Sequence, residues 1–123
     1  MELHREPHSL VGQDGLEPLV SVCLPVFNGE AYLALALESI LSQSLERFEL
    51  IVVDDCSTDN SKVIMRQFAQ RDKRIVCHFN EKRLGLFANY NLAMSLARAP
   101  YIKTFSQDDL LHPDCLIEGL ACL

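Results

Sequence analysis

The chain has 123 residues, of which 49% are hydrophobic and 23% charged, and it carries a formal net charge of −6. A chain of this length can build one sizeable core, and the composition is ordinary for a globular protein. The acidic balance argues against a surface that coats nucleic acid, although a small anionic ligand can still be held by local donors or a metal ion.

The first 18 residues predict a flexible tail, 1–18, ahead of a folded domain, 19–123. They combine prolines, glycines and mixed charges with no apolar period, and the opening MELHREPHSL lacks the apolar stretch of a signal peptide. No apolar run reaches the ~18 residues that cross a bilayer. We therefore expect no transmembrane segment and a cytoplasmic protein, with the inner membrane surface as a further place of action.

The cysteines predict reduced thiols. Their number is odd and no pair has the C-x-x-C spacing, which fits neither a disulfide framework nor a zinc site. The set consists of Cys23, Cys56, Cys77, Cys115 and Cys122.

The first half of the chain predicts two strand–helix units. LVSVCLPVF is a near-continuous apolar run, typical of a strand covered on both faces, and we expect Pro25 to end it because proline cannot donate to a central ladder. NGEAYLALALESILSQS has a helical period, with Asn28 as candidate cap. FELIVVDD predicts a second buried strand. SKVIMRQFAQRD predicts a second helix, capped by a residue within 57–59.

The second half repeats the pattern. RIVCHF predicts a strand, LFANYNLAMSLARA a helix and PYIKTFS a fourth strand, and His112-Pro113 opens a last helix. Four strand–helix units predict an α/β fold, a parallel sheet with helices on both faces. Ligands of such sheets bind beyond the carboxyl ends of the strands. The segments 25–28, 54–55 and 108–109 should therefore converge on one rim.

Asp108 and Asp109 form an acidic pair at the end of the fourth predicted strand. Mg²⁺ and Mn²⁺ take one or two carboxylates and complete their coordination with phosphate oxygens and water. A metal ion on a diphosphate also makes it a better leaving group. The alternative is that the pair caps the following helix or is only solvated.

Asp54 and Asp55 form the corresponding pair after the second strand. One division of roles has Asp54 fixing the turn and Asp55 facing a ligand, where a carboxylate matches the N–H of a uracil ring. The alternative is a helix cap near Ser57. Phe27 could stack on a flat base, worth ~1–3 kcal/mol, or belong to the edge of the core. Arg83 could face a base or phosphate, or be a solvated loop charge.

In their order these motifs resemble those of the family 2 glycosyltransferases, enzymes of the GT-A fold that use nucleotide sugars. VSVCLPVFNGEAYLALALESILSQSLERFELIVVDDCSTDNS is similar to the family's opening block, and RLGLFANYNLAMSLARAPYIKTFSQDDLLHPDCL to its third helix and metal-binding loop. The resemblance runs from Val20 to the last residue. It implies a Rossmann-like GT-A fold and inverting transfer from a UDP-sugar, with Mn²⁺ or Mg²⁺, to a hydroxyl of a growing glycan, a lipid-linked sugar or a protein.

The resemblance also implies roles for single residues on the base side. Phe27 matches the aromatic residue that stacks on the base, and Asp55 matches the acid that contacts uracil. Pro25 and Asn28 line the same pocket.

On the metal side, Asp108 matches the last acid of the D-x-D motif, which holds the metal and the diphosphate. Asp109 adjoins it, and Gln107 is implied beside the ribose or the metal. Ser106 stands where many members have the first acid, so weaker metal binding is expected.

Other departures concern the turns and the length. Cys56 replaces a common glycine, from which we expect a turn without positive φ, and Ala99-Pro100 replaces a frequent Gly-Glu. The family's catalytic base lies downstream of the D-x-D loop, which places it beyond Leu123. We therefore expect a C-terminally truncated donor half without transferase activity of its own, with an exposed sheet edge that promotes self-association.

Three other classes share the strand–helix pattern. A receiver-like Mg-binding signalling module is the strongest alternative, but its acidic pair would follow the first strand, where this chain has Pro-Val-Phe-Asn. A dinucleotide-binding oxidoreductase needs G-x-G-x-x-G at that point, and only Gly29 is present. A nucleotidylyltransferase would need a glycine-rich basic loop there.

Overall fold

The fold is that of an open parallel sheet, seen in a computed structural model that describes residues 17–121. The elements follow one another as β1 (Val20–Val26), α1 (Leu33–Leu41), β2 (Phe48–Asp54), α2 (Ser61–Arg71), β3 (Ile75–Phe79), α3 (Leu86–Ser95), β4 (Tyr101–Thr104) and α4 (Cys115–Ala121). All strand pairs are parallel, in the order β3-β2-β1-β4. The predicted α/β, Rossmann-like architecture is confirmed. Residues 1–16 of the predicted tail, and Cys122, lie outside the described residues.

Helices cover both faces of the two central strands, which are buried along their whole length. On one face the core contains Leu24 and Val52 with Leu37 of α1 and Met65 of α2. On the other face a smaller cluster joins strand residues such as Ile51 to α3. Residues of one strand alternate between the two faces, so burial on both sides produces the near-continuous apolar runs of the sequence. Within residues 17–121 no helix is both long and apolar enough to cross a membrane.

β4 is the short and exposed edge of the sheet. Its four residues pair with β1 from Val20↔Tyr101 to Cys23↔Thr104, and all four are exposed. No strand among residues 17–121 pairs with its outer edge. β1 therefore runs on past the end of β4, which leaves its last residues without a strand partner on that side.

The prediction that Pro25 ends β1 is wrong, because β1 continues to Val26 and Pro25 pairs with Val53. In a parallel strand the N–H and C=O of one residue point to the same side. The C=O of Cys23 accepts a hydrogen bond from the N–H of Phe105, so Pro25 faces the β4 side as well. The proline has no N–H for the Phe105 carbonyl, which instead accepts from the Tyr90 hydroxyl at 3.2 Å. The Tyr90 hydroxyl therefore takes the place of the N–H that Pro25 lacks.

The predicted cap at Asn28 is also wrong, since α1 begins only at Leu33. Asn28 has φ 48°, and its Oδ1 accepts from the N–H of Thr58 at 2.8 Å. Its side chain thus ties the β1–α1 turn to the β2–α2 turn. The predicted cap of α2 within 57–59 is wrong as well, because α2 begins at Ser61 and its N-cap is Asn60, which makes no side-chain cap hydrogen bond. Asp59 lies one residue earlier, and its Oδ1 accepts from the Ser61 N–H at 2.9 Å.

The turn after β2 does require a positive φ, contrary to the expectation from Cys56. This residue has φ 63°, in the left-handed region, and its Sγ lies 3.3 Å from the carbonyl oxygen of Asn80. A residue with a Cβ pays roughly 1–2 kcal/mol for this conformation, and glycine does not. The cysteine is accommodated at the cost of backbone strain.

We expect Cys56→Gly to stabilise the domain by up to about 1 kcal/mol, because the relieved strain exceeds the extra entropy of glycine in the unfolded chain. Thermal unfolding measures this as a rise of a few degrees. Cys56→Ala, which keeps the Cβ and loses the thiol, is the control and should give no rise. A glycine variant that melts at or below the alanine variant would contradict the strain at this position.

Candidate functional site

The carboxyl ends of β1, β2 and β4 surround a cavity of about 260 Å³. The predicted residues that line it are Pro25, Phe27, Asp55, Arg83, Gln107 and Asp108. The predicted convergence of the three polar segments is therefore seen. Asn28 and Asp109 do not line the cavity, since Asn28 turns towards Thr58 and Asp109 lies on the adjoining loop.

The carboxylate of Asp55 is buried at the back of this cavity and is only 3% exposed. Oδ1 accepts from the Leu84 N–H at 2.7 Å and from Nδ2 of Asn80 at 3.1 Å. Oδ2 accepts from the Gly85 N–H at 2.9 Å and from Nε of Arg83 at 3.1 Å. Asp55 therefore holds together the end of β2, the end of β3 and the approach to α3.

The hydrogen bonds at Asp55 determine its charge state. Burial by itself raises the pKa of this carboxyl, but the donors of Leu84, Asn80, Gly85 and Arg83 act in the opposite direction and lower the pKa below its usual value. The carboxylate is consequently ionised at neutral pH. Its contribution to stability is present above the ordinary aspartate pKa of about 3.9 and is lost as the pH falls through the lowered pKa.

Asp54 has the role that the sequence analysis assigned to it. It is fully buried, and its Oδ2 accepts from the N–H of Ser57 at 3.1 Å, which fixes the turn. The neighbouring turn is bound to this one, because Ser57 Oγ accepts from the Asn28 N–H and Ser61 Oγ from the Gly29 N–H, both at 2.9 Å.

Phe27 and Arg83 are in contact at the mouth of the cavity. The guanidinium carbon of Arg83 lies 3.4 Å from the centroid of the Phe27 ring, while its Nε donates to Asp55. The Arg83 side chain is 53% exposed. The ring face that the sequence analysis assigned to a base is thus covered by a cation.

A buried amide pair behind the cavity was not predicted. Nδ2 of Asn80 donates to Oδ1 of Asn89 at 2.8 Å, and Nδ2 of Asn89 donates to the Val53 carbonyl at 2.9 Å. Both asparagines are buried. The available signal was Asn89 itself, a buried polar residue of α3 between apolar neighbours.

The loop after β4 presents Asp108 and Asp109 as exposed neighbours. Oδ1 of Asp108 accepts from the Ser106 hydroxyl at 2.6 Å. Tyr90 was also missed from the sequence: burial raises the pKa of its hydroxyl, and the charges of Asp109 and Asp108 raise it further. Among residues 17–121, no group of three or more His, Cys, Asp or Glu side chains could hold a metal ion.

Gln107 contacts protein backbone in this structure. Its Oε1 accepts from the Phe27 N–H at 2.8 Å, and its Nε2 donates to the Phe27 carbonyl at 3.0 Å. The side chain therefore bridges the loop after β4 and the turn that carries Phe27.

The cysteines of the described range are free thiols that do not contribute nucleophiles to the cavity. Burial raises the pKa of both Cys23 and Cys77 to about 12. Both therefore remain protonated at neutral pH and act as small apolar residues.

Curated relatives match this chain in sequence, and solved structures match it in fold. An uncharacterized glycosyltransferase of Haemophilus influenzae is 37% identical over 103 residues, covering 84% of this chain and 41% of the relative. The putative teichuronic acid biosynthesis glycosyltransferase TuaG of Bacillus subtilis is 36% identical over 104 residues, covering 85% of this chain and 41% of the relative. The chain thus spans less than half the length of these proteins.

Among solved structures, S. aureus TarS 1-349 in complex with UDP-GlcNAc superposes with a TM-score of 0.77 at 29% identity, covering 83% of this chain and 30% of that one. The mannosyltransferase PcManGT from Pyrobaculum calidifontis, in complex with GDP-Man and Mn²⁺, has a TM-score of 0.77 at 22% identity over 94% of this chain and 35% of that one, a likeness of fold alone.

The family assignment rests on sequence as well as on shape. Residues 21–121, almost the whole described domain, match the family described as Glycosyl transferase family 2. This match decides against the receiver-like module, the dinucleotide-binding oxidoreductase and the nucleotidylyltransferase. With its parallel sheet and its cavity at the strand ends, the chain belongs to glycosyl transferase family 2 and has that family's GT-A fold.

Proposed function

We propose that this domain binds a UDP-sugar together with Mn²⁺ or Mg²⁺, and that the protein to which it belongs transfers the sugar with inversion to an acceptor hydroxyl. The observation that carries the proposal is the convergence of an aromatic ring, a buried carboxylate and an exposed carboxylate on one cavity: Phe27, Asp55 and Asp108. These groups suit the base, the N–H of that base and a metal-bound diphosphate, respectively.

Recognition of the base requires a rearrangement at Asp55. A carboxylate accepts about four hydrogen bonds, and all four positions are filled by the chain's own donors. Arg83 is the donor best able to move, since its side chain is half exposed whereas the other donors are backbone groups and a buried amide. In this proposal the base replaces Arg83 both on the Phe27 ring and at Asp55. The displaced guanidinium stays at the cavity mouth, within reach of a base carbonyl or a phosphate.

The comparisons support uridine as the nucleoside. S. aureus TarS, which is 28–29% identical to this chain, has been solved with UDP and with UDP-GlcNAc. The GDP-Man and Mn²⁺ complex belongs to a neighbour that shares only the fold. We therefore take UDP as the first ligand to test and leave the donor sugar open.

The metal side fits a divalent ion that is shared with the ligand. Asp108 and Asp109 would hold the ion, and Mg²⁺ or Mn²⁺ needs only one or two carboxylates when phosphate oxygens complete its coordination. Among residues 17–121 no group of three His, Cys, Asp or Glu side chains could hold an ion, so phosphate oxygens and water would complete the coordination. When bound, the ion neutralises the diphosphate and improves it as a leaving group. The Ser106 hydroxyl donates to Oδ1 of Asp108 and so restrains the side chain that would hold the ion.

The transfer step is proposed for the whole protein. The chain spans 41% of the curated relatives described above. An acceptor such as a growing glycan, a lipid-linked sugar or a protein, and the general base that activates its hydroxyl, are therefore assigned to the full-length enzyme. The cavity described here accounts for donor binding.

We expect UDP to stabilise the domain more strongly when Mn²⁺ is present, because Asp108 would hold an ion that neutralises the diphosphate. At ten times its Kd, UDP should add about 1.4 kcal/mol, a shift of several degrees in thermal unfolding. Asp108→Asn should remove the difference between the two conditions, and Glu118→Gln, an exposed acid on α4, should keep it. Equal shifts with and without Mn²⁺ in the native chain would speak against the metal site.

Asp55→Asn should weaken UDP binding and also lower stability by about 1–3 kcal/mol, because the new amide nitrogen faces N–H donors that lose their acceptor. Asp72→Asn is a matched control: Asp72 is 9% exposed and accepts hydrogen bonds from the backbone and side chain of Arg74, before β3. Both variants should melt earlier in thermal unfolding, and calorimetric titration should show weaker UDP binding only for Asp55→Asn. An equal loss of UDP affinity in both variants would mean that Asp55 stabilises the fold and does not contact the base.

Ser106→Asp should increase the dependence of UDP binding on Mn²⁺, because it restores the first acid of the D-x-D motif. Without metal the new carboxylate lies beside Asp108, so the melting temperature should fall; Mn²⁺ with UDP should recover it. Ser106→Ala, which only frees Asp108 from the hydroxyl, should show a smaller Mn²⁺ effect than the native chain in the same melting assay. If the Asp and Ala variants respond alike, residue 106 does not contact the metal.

A further inference from the structure

The amide of Gln107 continues the β1–β4 ladder where β4 has ended. Phe27 follows Cys23 and Pro25 on the β4-facing side of β1, and its N–H and C=O have no partner strand there. The Gln107 amide, like a peptide group, offers one acceptor and one donor. Its two bonds to Phe27, at 2.8 and 3.0 Å, satisfy both backbone groups of that residue.

The β1–α1 turn has a space that the Gln107 side chain fills. A Cβ at Gly29 would lie 2.7 Å from both Cδ and Oε1 of Gln107 and 3.1 Å from its Nε2. Glycine at position 29 is therefore what allows the amide to reach Phe27. The close packing of Gln107 against Gly29 is an observation separate from the hydrogen bonds, and it likewise places the Gln107 amide beside Phe27.

The Gln107 bridge connects the two halves of the cavity. Ser106 and Asp108 flank it on the metal side, and Asp108 is held by the Ser106 hydroxyl. Phe27 lies on the base side, with Arg83 on its ring. The loop after β4 is anchored at its ends, where the Phe105 N–H donates to the Cys23 carbonyl and the Leu111 N–H donates to Ser39 Oγ. Between these two anchors, the contact of Gln107 with Phe27 ties the loop to the end of β1.

We propose that Gln107 is a positioning residue: by pairing with the Phe27 backbone it holds the 106–109 loop at a fixed place relative to the base, and so couples metal binding to nucleotide binding. This inference rests on the proposed function, in which the cavity takes UDP and a divalent ion. It differs from the expectation that Gln107 contacts the ribose or the metal, because the amide acts through the backbone of another residue.

A double-mutant cycle tests the coupling. The measured quantity is the ratio of the UDP Kd without Mn²⁺ to the Kd with Mn²⁺, obtained by calorimetric titration. Gln107→Ala should lower this ratio by about fivefold or more, the lower range of coupling between sites. Gly29→Ala should also lower it, since its methyl group displaces the amide. The double variant should be no worse than Gln107→Ala alone, because the methyl group acts only through Gln107.

Gln43→Ala is the matched control for lost stability. Gln43 is a buried glutamine whose amide, like that of the half-buried Gln107, joins separate segments, with bonds to the His112 carbonyl at 2.7 Å and from the Leu116 N–H at 3.1 Å. It should lower the melting temperature and leave the Mn²⁺ ratio unchanged. Hydrogen exchange gives a second readout, because the Phe27 amide should lose protection in Gln107→Ala and not in Gln43→Ala.

The outcomes separate the inference from the function on which it rests. A native chain whose UDP affinity does not respond to Mn²⁺ overturns the proposed function and the coupling with it. A native chain that responds, with an unchanged ratio in Gln107→Ala, overturns the inference alone. Additive effects of the Gly29 and Gln107 substitutions, or an equal loss of the ratio in Gln43→Ala, overturn it as well.

Discussion

The carboxylate of Asp55 lies buried at the end of β2, and a buried charge is tolerated only where hydrogen bonds replace the lost water. Its donors come from the end of β3 and from the segment that enters α3. The part of the cavity around Phe27 depends on this one carboxylate, because the hydrogen bond from Arg83 that helps to keep Asp55 ionised also places the guanidinium over the Phe27 ring. Local stability and the shape of the site therefore have the same origin.

The position of the 106–109 loop depends on a different constraint, which is the mismatch in length between β1 and β4. β1 runs on beyond Cys23 while β4 stops at Thr104, so the backbone at the end of β1 must find partners elsewhere. Pro25 has no N–H to donate to the Phe105 carbonyl. That carbonyl accepts a hydrogen bond from the Tyr90 hydroxyl instead. In the same way, the side-chain amide of Gln107 makes hydrogen bonds to the N–H and C=O of Phe27, which have no strand partner. Completing the hydrogen bonds of a truncated ladder is what brings the acidic loop to the cavity.

The sequence predicts most of the fold because burial on both faces and helical periodicity are local patterns. The strand order and the rim at the strand ends follow from them. The errors arose where distant segments meet. Pro25 was assigned as a strand end because the early end of β4 is invisible in the sequence. Asn28 was predicted to cap α1, but its side-chain oxygen accepts a hydrogen bond from the N–H of Thr58, thirty residues away. Cys56 was read by residue type, whereas its φ is imposed by the turn that Asp54 closes. The bridge from Gln107 to Phe27, eighty positions apart, has no local signature.

The contact between Arg83 and Phe27 bears on how the proposed donor would gain its affinity. Stacking of a base on an aromatic side chain is worth ~1–3 kcal/mol, but here the base first displaces a cation–π contact worth ~0.5–2 kcal/mol. Its hydrogen bond to Asp55 only replaces the one that Arg83 makes. These contributions nearly cancel, so the base is selected by fit more than bound by strength. In the proposed complex, most of the affinity would then come from the diphosphate and the ion at Asp108. A fixed connection between Asp108 and the Phe27 ring would matter most in such a site, because the strongly held diphosphate would have to place a weakly held base. The hydrogen bonds between Gln107 and Phe27 provide that connection.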